Sequence, residues 1–446
     1  MSDVPVPPPI PSALPWRFKP GRTVKFALVG VLLLLLLIPH AMIASVISER
    51  EGYQEEARSG IAGSWGPAQT VLGPVLVVPT RTEVPRAPNE TGPLKWERGA
   101  VTVLPAELEA QARLAPERRR RGLFEAVVYG ADVLMSAKLS VPALTVPERT
   151  ELLWREAFML TGATSLRSAA GTVLTLNGRA LPARDAGCDF GNWNLVRWDL
   201  GLDGAIAPDT AMQLAGAMSL RGTGRFGLAP LARQARFDIA APWPTPSFTG
   251  SGLPVRSDIT PQGFTASWEE GTGQPLVSRG GPGWCEHLVG EAPRVGVDLL
   301  EAVPTYRMVT RASKYAELFL ALALLTYVLF ELVAGVRIHL VQYGLLGLSV
   351  LLFPLLLLAF GEPLGFATAY AISSAAVVAQ ASAYTAAVTH RLRLAGVFAG
   401  ILGTLFGFLY VVLSLEAFAL LAGAVALFAA LSAVMAVTRR VNWAEG

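Results

Sequence analysis

The sequence is poor in the residues that build metal centres and catalytic triads. Its 446 residues include two cysteines and four histidines, and His287 is the one histidine between residues 49 and 313. A zinc site with several histidines or a Ser-His-Asp triad needs more of these side chains in one place. We therefore predict no metal and no cofactor.

Charged residues are also scarce. They make up 16% of the chain, while 52% of the residues are hydrophobic and the mean hydropathy is +0.44. This composition is too apolar for an ordinary soluble protein. The net charge is only +3 and the basic residues are scattered, so we expect no nucleic-acid partner. The partner that the composition indicates is a lipid bilayer.

Long apolar runs are what the sequence has in abundance. The runs long enough to cross a membrane are 24–47, 316–336, 340–360, 365–388, 394–414 and 417–438. The first is longer than the apolar part of a signal peptide and does not end in a good cleavage site. We interpret it as an uncleaved membrane anchor, with a signal peptide as the alternative.

The charges between these runs predict an orientation. The two breaks at Glu362 and Glu416 carry no Lys or Arg. The basic residues flank the runs on the other side: Arg17, Lys19, Arg22 and Lys25 before the first, Arg337 after the second, Arg391 and Arg393 after the fourth, Arg439 and Arg440 after the sixth. The positive-inside rule then makes both termini cytoplasmic in a bacterial inner membrane.

The segment between the first and second apolar runs has a different composition and hydrophobic pattern. Residues 48 to 63 form an amphipathic pattern that predicts a helical stalk ending at Gly60 and Gly63, and Glu151–Met159 reads as a short helix. The β-rich runs lie at 71–79, 99–105, 123–141, 171–181, 193–202, 212–228, 235–243, 263–270 and 294–303. We expect a mostly antiparallel β domain, with a twisted sandwich as one form.

The predicted fold class is a membrane α-helical bundle of six transmembrane helices plus a large, mainly β extracytoplasmic domain inserted between helices 1 and 2. Its parts are a disordered cytoplasmic tail (1–23), transmembrane helix 1 (24–47), a periplasmic β-rich domain with an N-terminal stalk (48–313), a five-helix membrane bundle (314–438) and a cytoplasmic C-terminal tail (439–446).

The two cysteines, Cys188 and Cys285, both lie in the predicted periplasmic domain. An oxidising compartment favours a disulfide between them. Two alternatives stay open, namely a pair of free thiols and a metal site at Cys285-Glu286-His287.

Two other motifs invite a functional interpretation. Residues 222–227 match G-x-G-x-x-G, but the motif lies between β-rich runs rather than before a helix, so we predict a hairpin turn. Residues 118–121 are four arginines, which we expect in a solvated loop, with binding of an anionic group as the alternative.

Polar side chains inside the membrane runs are candidates for function. Glu331 could pair with Arg337 or His339 and lock a helical hairpin, or it could carry protons or hold a substrate. His40 follows Pro39 in the first run, and we expect it to be packed against a neighbouring helix. The spacing of Gly396, Gly400, Gly403 and Gly407 predicts a seam where another helix packs closely.

Several blocks together resemble the CreD family of bacterial inner-membrane proteins. They cover nearly the whole chain in order: LIPHAMIASVISEREGY (37–53), GPAQTVLGPVLVVP (66–79), PWPTPSFTGSGLP (242–254), GFTASW (263–268), the run 305–332 and the run 338–360. The last two blocks contain Glu331, His339, Gln342 and Tyr343. The resemblance implies a role in cell-envelope integrity under stress control, and it implies no established reaction.

Two hypotheses for function follow. The first is a non-enzymatic envelope protein whose periplasmic β domain binds or senses an envelope component or a protein partner. The second is an enzyme or carrier that acts on a lipid-linked envelope precursor and uses the polar cluster of Glu331, Arg337, His339, Gln342 and Tyr343.

Overall fold

The computed structural model describes residues 22–85, 93–165, 170–186, 193–271, 275–290, 294–299, 305–415 and 419–439. The chain divides into two units. Residues 1–51 and 303–446 form the first, which we call the helical unit, and residues 52–302 form the second, the β unit. Most of the two predicted tails lies outside the described residues, as do Cys188 and Glu416.

Long helices build the helical unit. They are α1 (Arg22–Trp65), α3 (Thr305–Ala334), α4 (Leu340–Leu364), α5 (Phe366–Thr389), α6 (Leu392–Ser414) and α7 (Ala419–Thr438), while the short α2 (Trp284–Gly290) belongs to the β unit. Among the described residues, α1 and α3 to α6 are long and apolar enough to cross a membrane, and residues 421–436 of α7 form a shorter apolar helix. These helices overlap every apolar run of the sequence.

The end of α1 differs from the sequence prediction. Neither Gly60 nor Gly63 ends the helix, which continues to Trp65. The residue that ends it is Gly66, whose φ of 146° an L side chain rarely adopts. The Gly66 amide still donates to the Ala62 carbonyl at 2.9 Å. The boundary between the two units falls within α1, after Glu51.

The core of the helical unit is rich in aromatic side chains. Tyr327 of α3 contacts Tyr343 of α4 and Phe398 of α6, with ring centroids 5.6 and 5.2 Å apart. Farther along the helices, Phe353 of α4 lies 4.6 Å from Phe406 of α6. These contacts pack α3, α4 and α6 together. The predicted glycine seam is not part of this packing, because a Cβ built on Gly396, Gly400, Gly403 or Gly407 meets no atom of the described residues within 4 Å beyond the helix's own backbone.

The β unit contains two sheets. The first comprises β1 (Gln69–Glu83), β2 (Trp96–Val103), β5 (Thr150–Leu152), β6 (Phe158–Ala163), β9 (Ala183–Asp185), β10 (Asn194–Asp199), β12 (Arg225–Ala229), β14 (Pro246–Gly250), β17 (Val277–Gly280) and β18 (Val295–Leu299). The second comprises β3 (Glu107–Arg121), β4 (Phe124–Val141), β7 (Ala170–Leu176), β8 (Arg179–Ala180), β11 (Thr210–Thr223), β13 (Gln234–Ala241), β15 (Arg256–Thr260) and β16 (Gly263–Glu270).

Strand pairing is mainly antiparallel, as the sequence predicted. The first sheet has the order β14-β18-β12-β1-β6-β10-β9, with β2 and β5 also paired to β1 and β17 paired to β2. The second has the order β15-β16-β13-β3-β4-β11-β7-β8. Two pairs are parallel, β1 with β12 and β3 with β13.

Alternating side chains from both sheets share one hydrophobic core. Leu108, Ala110 and Leu114 on β3 are buried against residues of the first sheet such as Leu76 and Val101. Strand β1 is buried on both faces. One face belongs to this core, and the other face belongs to a second hydrophobic cluster that includes Cys285 of α2. The β unit is therefore a sandwich with α2 covering part of one outer face.

Three local predictions have clear outcomes. The G-x-G-x-x-G motif is a tight turn at Gly224, which has φ of 70°, but the predicted hairpin is wrong: β11 ends at Thr223 in the second sheet, β12 begins at Arg225 in the first, and the two strands do not pair. The helix predicted for Glu151–Met159 is wrong, because the segment contains β5, one short 3-10 turn and the start of β6. The four arginines form the end of β3, not a loop.

Candidate functional site

The first candidate site surrounds Glu331 of α3. Lys25 of α1 donates to Glu331 Oε1 at 2.5 Å and to the Ile338 carbonyl at 2.5 Å. The Tyr343 hydroxyl of α4 donates to Glu331 Oε2 at 3.1 Å. The side chains of Lys25 and Glu331 are only 20% and 19% exposed. We call Lys25, Glu331 and Tyr343 the Lys25 cluster.

Other residues that the sequence analysis grouped with Glu331 serve the turn between α3 and α4. His339 is the N-cap of α4, where its Nδ1 accepts from the Val341 amide at 3.3 Å. The Gln342 side chain accepts from the His339 amide at 2.7 Å and completes a capping box. Arg337 is exposed. The cation that meets Glu331 is thus Lys25, rather than Arg337 or His339.

A second polar cluster joins the same three helices at Arg50 of α1, near the start of α3 and near the end of α4. Arg50 of α1 binds Glu362 of α4 with two bonds, Nε to Oε1 at 2.8 Å and Nη2 to Oε2 at 2.6 Å. The Tyr306 hydroxyl of α3 donates to Glu362 Oε1 at 2.7 Å. Such two-bonded arginine–carboxylate pairs fix geometry as well as charge. We call Arg50, Glu362 and Tyr306 the Arg50 cluster.

The two clusters use the same chemistry. In each, α1 supplies a cation, a second helix supplies a carboxylate, and a tyrosine of the third helix donates to that carboxylate. A carboxylate in apolar surroundings is costly unless it is paired and hydrogen-bonded, and both are. The clusters hold α1, α3 and α4 together at two levels, one at Lys25 and one at Arg50. Sequence analysis missed the Arg50 cluster, although its two charges border apolar runs.

A basic cavity lies at the β9 edge of the first sheet. Its volume is about 480 Å³. Four arginines and two carboxylates line it: Arg155, Arg179, Arg184, Arg197, Glu156 and Asp199. Asp199 accepts from Arg184 at 2.8 Å and from Arg197 at 2.6 Å, which fixes these two guanidinium groups. The charges that line the cavity sum to a positive value, so it favours an anion.

The structure describes only one of the two cysteines in the predicted disulfide. Cys285 is buried on α2, with 6% of its surface exposed, and Cys188 lies outside the described residues. Their pairing stays a prediction. Among the residues in the described ranges, no group of three or more His, Cys, Asp and Glu side chains is placed to hold a metal ion.

Helices long and apolar enough to cross a membrane, together with a large two-sheet unit, define the class: a membrane protein with several candidate spans and a β-sandwich unit. The model of the family described as inner membrane protein CreD matches residues 22–444. The chain belongs to this family, which confirms the resemblance seen in the sequence. Inner membrane protein CreD of Escherichia coli strain K12 is 28% identical over 429 residues, which cover 92% of this chain and 91% of that protein.

Similarity to solved structures is weak. The M1 zinc metallopeptidase from Deinococcus radiodurans matches with 10% identity and a TM-score of 0.25, over 47% of this chain and 52% of that chain. Native yeast LTA4 hydrolase matches with 10% identity and a TM-score of 0.22, over 46% of this chain and 30% of that chain. This chain thus spans about half of the first and less than a third of the second. At such scores the matches carry no argument about function.

Proposed function

We propose that the chain is a non-enzymatic inner-membrane protein of cell-envelope integrity, in which six spans anchor a periplasmic β unit that binds an anionic envelope component. The helical unit then supplies the anchor, and the β unit supplies the recognition. Membership of the inner membrane protein CreD family supports the location.

The observation that carries the binding role is the basic cavity at the β9 edge. Arg155 and Arg179 are exposed, and apart from the bond from Arg155 Nε to the Asp203 carbonyl at 3.0 Å their guanidinium groups can meet solvent and solutes. Leu176, Leu181 and Leu200 add apolar surface beside them. Arginine is suited to bidentate recognition of phosphate and carboxylate. A phosphorylated or otherwise acidic envelope saccharide offers both the charge and the apolar ring face that such a cavity accepts.

Charges in the helical unit support the orientation. Lys25 donates to the Ile338 carbonyl in the α3–α4 turn, and Arg391 in the α5–α6 turn donates to the Ala334 carbonyl at the end of α3, at 3.1 Å. These cations therefore gather at the end of the bundle where the sequence predicts cytoplasm. Glu362 lies at the other end, where it is paired with Arg50.

Binding should be measured with the full chain in neutral lipid nanodiscs. We would titrate it with a phosphorylated envelope oligosaccharide and with the same oligosaccharide after phosphatase treatment. The double variant Arg155→Gln/Arg179→Gln should bind the phosphorylated ligand about tenfold more weakly, because two charge-assisted contacts are removed.

The matched control is Arg236→Gln/Arg256→Gln, which removes two positive charges from strands β13 and β15 of the other sheet. It should leave the affinity unchanged. Equal affinity for both oligosaccharides, or an equal loss in the control variant, would exclude the cavity as the binding site.

The alternative, an enzyme or carrier that uses Glu331, finds less support. Glu331 is held by Lys25 and Tyr343, so both of its oxygens already have donors. A carboxylate that must bind a substrate or pass a proton needs at least one of them available.

A further inference from the structure

The turn between β3 and β4 exposes an apolar side chain. Arg121 at the end of β3 pairs with Phe124 at the start of β4, so Gly122 and Leu123 form a two-residue turn. Gly122 has φ of 64°, the conformation that such a turn requires of its first residue. The second position suits a polar residue, as turns usually have. Leu123 is nevertheless 60% exposed, so the turn geometry does not account for it.

Arginines precede this exposed leucine. We call residues 117–125 the hairpin tip, which contains four arginines (118–121) and two glutamates and therefore has a net charge of +2. Glu117 pairs with Arg119, and Glu125 pairs with Arg118 and Arg120. All four arginines are exposed, and among the described residues no carboxylate forms an ion pair with the fourth. The hairpin tip thus combines an excess of positive charge with an apolar side chain.

Contacts with α1 give the direction in which the hairpin tip points. Trp65, at the end of α1, donates from Nε1 to the Tyr129 carbonyl of β4 at 3.2 Å. One helical turn earlier, Ile61 is buried in a cluster with Ala126, which lies nearer the start of β4. The contacts therefore approach the turn of the hairpin as α1 is followed back from its end. The hairpin tip points toward the apolar part of α1.

The hairpin tip also lies close to α1. The guanidinium of Arg121 lies against Gly60, where a Cβ would leave it no room. Leu123 is three strand residues, or about 10 Å, beyond the contact with Ile61. Along α1, the apolar run ends at Ile47, which is fourteen residues or about 21 Å from Ile61. About 11 Å then remain, of which a headgroup layer of about 5–8 Å on each side of a bilayer fills the greater part.

We propose that the hairpin tip binds anionic phospholipid headgroups of the bilayer that α1 crosses. Arginine makes charge-assisted and often two-bonded contacts with phosphate oxygens. An exposed leucine beside basic residues is typical of segments that lie in a membrane interface. Negative headgroups attract basic residues within about a Debye length, about 8–10 Å, which exceeds the gap left beyond the headgroup layer.

The acidic residues of α1 do not cancel this charge. Between residues 52 and 65, α1 carries Glu55, Glu56 and Arg58, a charge of −1, so the sum with the hairpin tip stays positive. The basic cavity at the β9 edge plays no part in this contact. The headgroup contact can therefore be tested independently of the proposed function.

Photocrosslinking measures the contact between the hairpin tip and lipid. The full chain with Leu123→benzoylphenylalanine would be irradiated in nanodiscs of phosphatidylcholine and in nanodiscs with an equal mixture of phosphatidylcholine and phosphatidylglycerol. Intact-protein mass spectrometry should show the addition of one phospholipid, chiefly phosphatidylglycerol in the mixture. The yield in the mixed nanodiscs should be about fivefold higher, because each basic residue near a negative surface gains about that factor.

Leu253→benzoylphenylalanine is the matched control. Leu253 is 75% exposed and follows Gly252, which lies beside Glu270. Glu270 pairs with Ala235, and Ala235 pairs with Leu108 at the start of β3. That level is thirteen residues, or about 43 Å, from the end of β3. The probe at position 253 should therefore give no lipid adduct.

A second pair of variants tests the role of charge. In the Leu123→benzoylphenylalanine protein, Arg120→Gln/Arg121→Gln should lower the yield in mixed nanodiscs to that in phosphatidylcholine alone. Arg236→Gln/Arg256→Gln removes the same charge from β13 and β15 and should leave the yield unchanged. Absence of a lipid adduct at position 123, an equal yield at position 253, equal yields in both kinds of nanodisc, or no effect of Arg120→Gln/Arg121→Gln would each overturn the proposed contact.

Discussion

Glu331 illustrates how a single charged residue is accommodated in an apolar helix. Its two oxygens receive the Lys25 ammonium and the Tyr343 hydroxyl, from two different helices. Tyr343 is in turn packed edge-on against Tyr327. The charge is thereby neutralised and its geometry fixed.

The ion pair of Glu331 with Lys25 predicts that two substitutions of Glu331 have unequal effects on stability. Glu331→Gln should lower the free energy of unfolding by less than about 1 kcal/mol, because the amide oxygen still accepts a hydrogen bond. Glu331→Leu should cost about 2 kcal/mol, since Lys25 loses its counter-charge in a site that is four-fifths enclosed. Thermal unfolding in detergent micelles measures both.

Two further measurements test this interpretation. The double variant Lys25→Met/Glu331→Leu should recover most of the stability lost in Glu331→Leu, because no unpaired charge remains. In an envelope-stress survival assay at matched protein levels, Glu331→Gln should retain activity. Loss of activity in a stable Glu331→Gln protein would revive the chemical role of Glu331.

The sequence identified Glu331 as an intramembrane polar residue but not its partner. Arg337 and His339 are near in sequence, while Lys25 is more than three hundred residues away. The order in which helices pack decides between them, and hydropathy carries no information about that order. The Arg50 cluster was missed for the same reason, since it too depends on which helices pack together.

At the scale of elements, the arginines at the end of β3 act through an aromatic partner. Arg119 and Arg221 of β11 lie over the ring of Trp65, 4.2 and 4.8 Å from its centroid. Trp65 Nε1 donates to the Tyr129 carbonyl of β4 at 3.2 Å. Below it, burial raises the pKa of Tyr129, whose hydroxyl donates to the Arg225 carbonyl. The last turn of α1 is thus fixed to the second sheet.

This contact predicts that Trp65 stabilises the β unit. Trp65→Ala should cost about 2–3 kcal/mol, since it removes two cation–π contacts, one hydrogen bond and half-buried apolar area. Trp65→Phe should cost about 1 kcal/mol, because the ring remains. Proteolysis of the full chain in rising urea, followed on fragments of the β unit, measures both.

Trp96→Ala provides the comparison. Trp96 is 42% exposed and is covered by one guanidinium, that of Arg81 at 4.9 Å. Its loss should cost clearly less than the loss of Trp65. Equal urea midpoints for the two alanine variants would contradict an anchoring role for Trp65.

Helices and strands with a strong hydrophobic pattern were predictable from the sequence, and those with a weak hydrophobic pattern were not. The helices α3 to α6 agree with the apolar runs at most ends to within a few residues, because hydropathy and loop charge both report them. Strand β3 was missed, since its buried face uses small residues such as Ala110 and Ala112 between charged ones. That pattern has a weak β signal, and only pairing with β4 and β13 reveals the strand.

For the whole molecule, the proposed orientation gives a direct test. Reporter fusions at Arg337, Arg391 and Arg439 should report cytoplasm, and fusions at Gly92, Gly361 and Leu415 should report periplasm, because the basic turns are retained inside. Alkaline phosphatase and a cytoplasmic fluorescent protein serve as paired reporters. A cytoplasmic signal at Gly92 would reverse the location of the β unit.

The two clusters also fix a length. Lys25 and Arg50 are twenty-five residues apart on α1, and so are Tyr306 and Glu331 on α3, a distance of about 37 Å along each helix. That distance lies between the thickness of the hydrocarbon core, about 30 Å, and that of the whole bilayer, about 40–45 Å. A thinner membrane forces the helices to tilt, and a thicker one draws a charged cluster toward the acyl chains. The clusters are thus spaced along α1 and α3 at close to the thickness of a bilayer, so hydrophobic mismatch would act on ion pairs rather than on lipid-facing side chains alone.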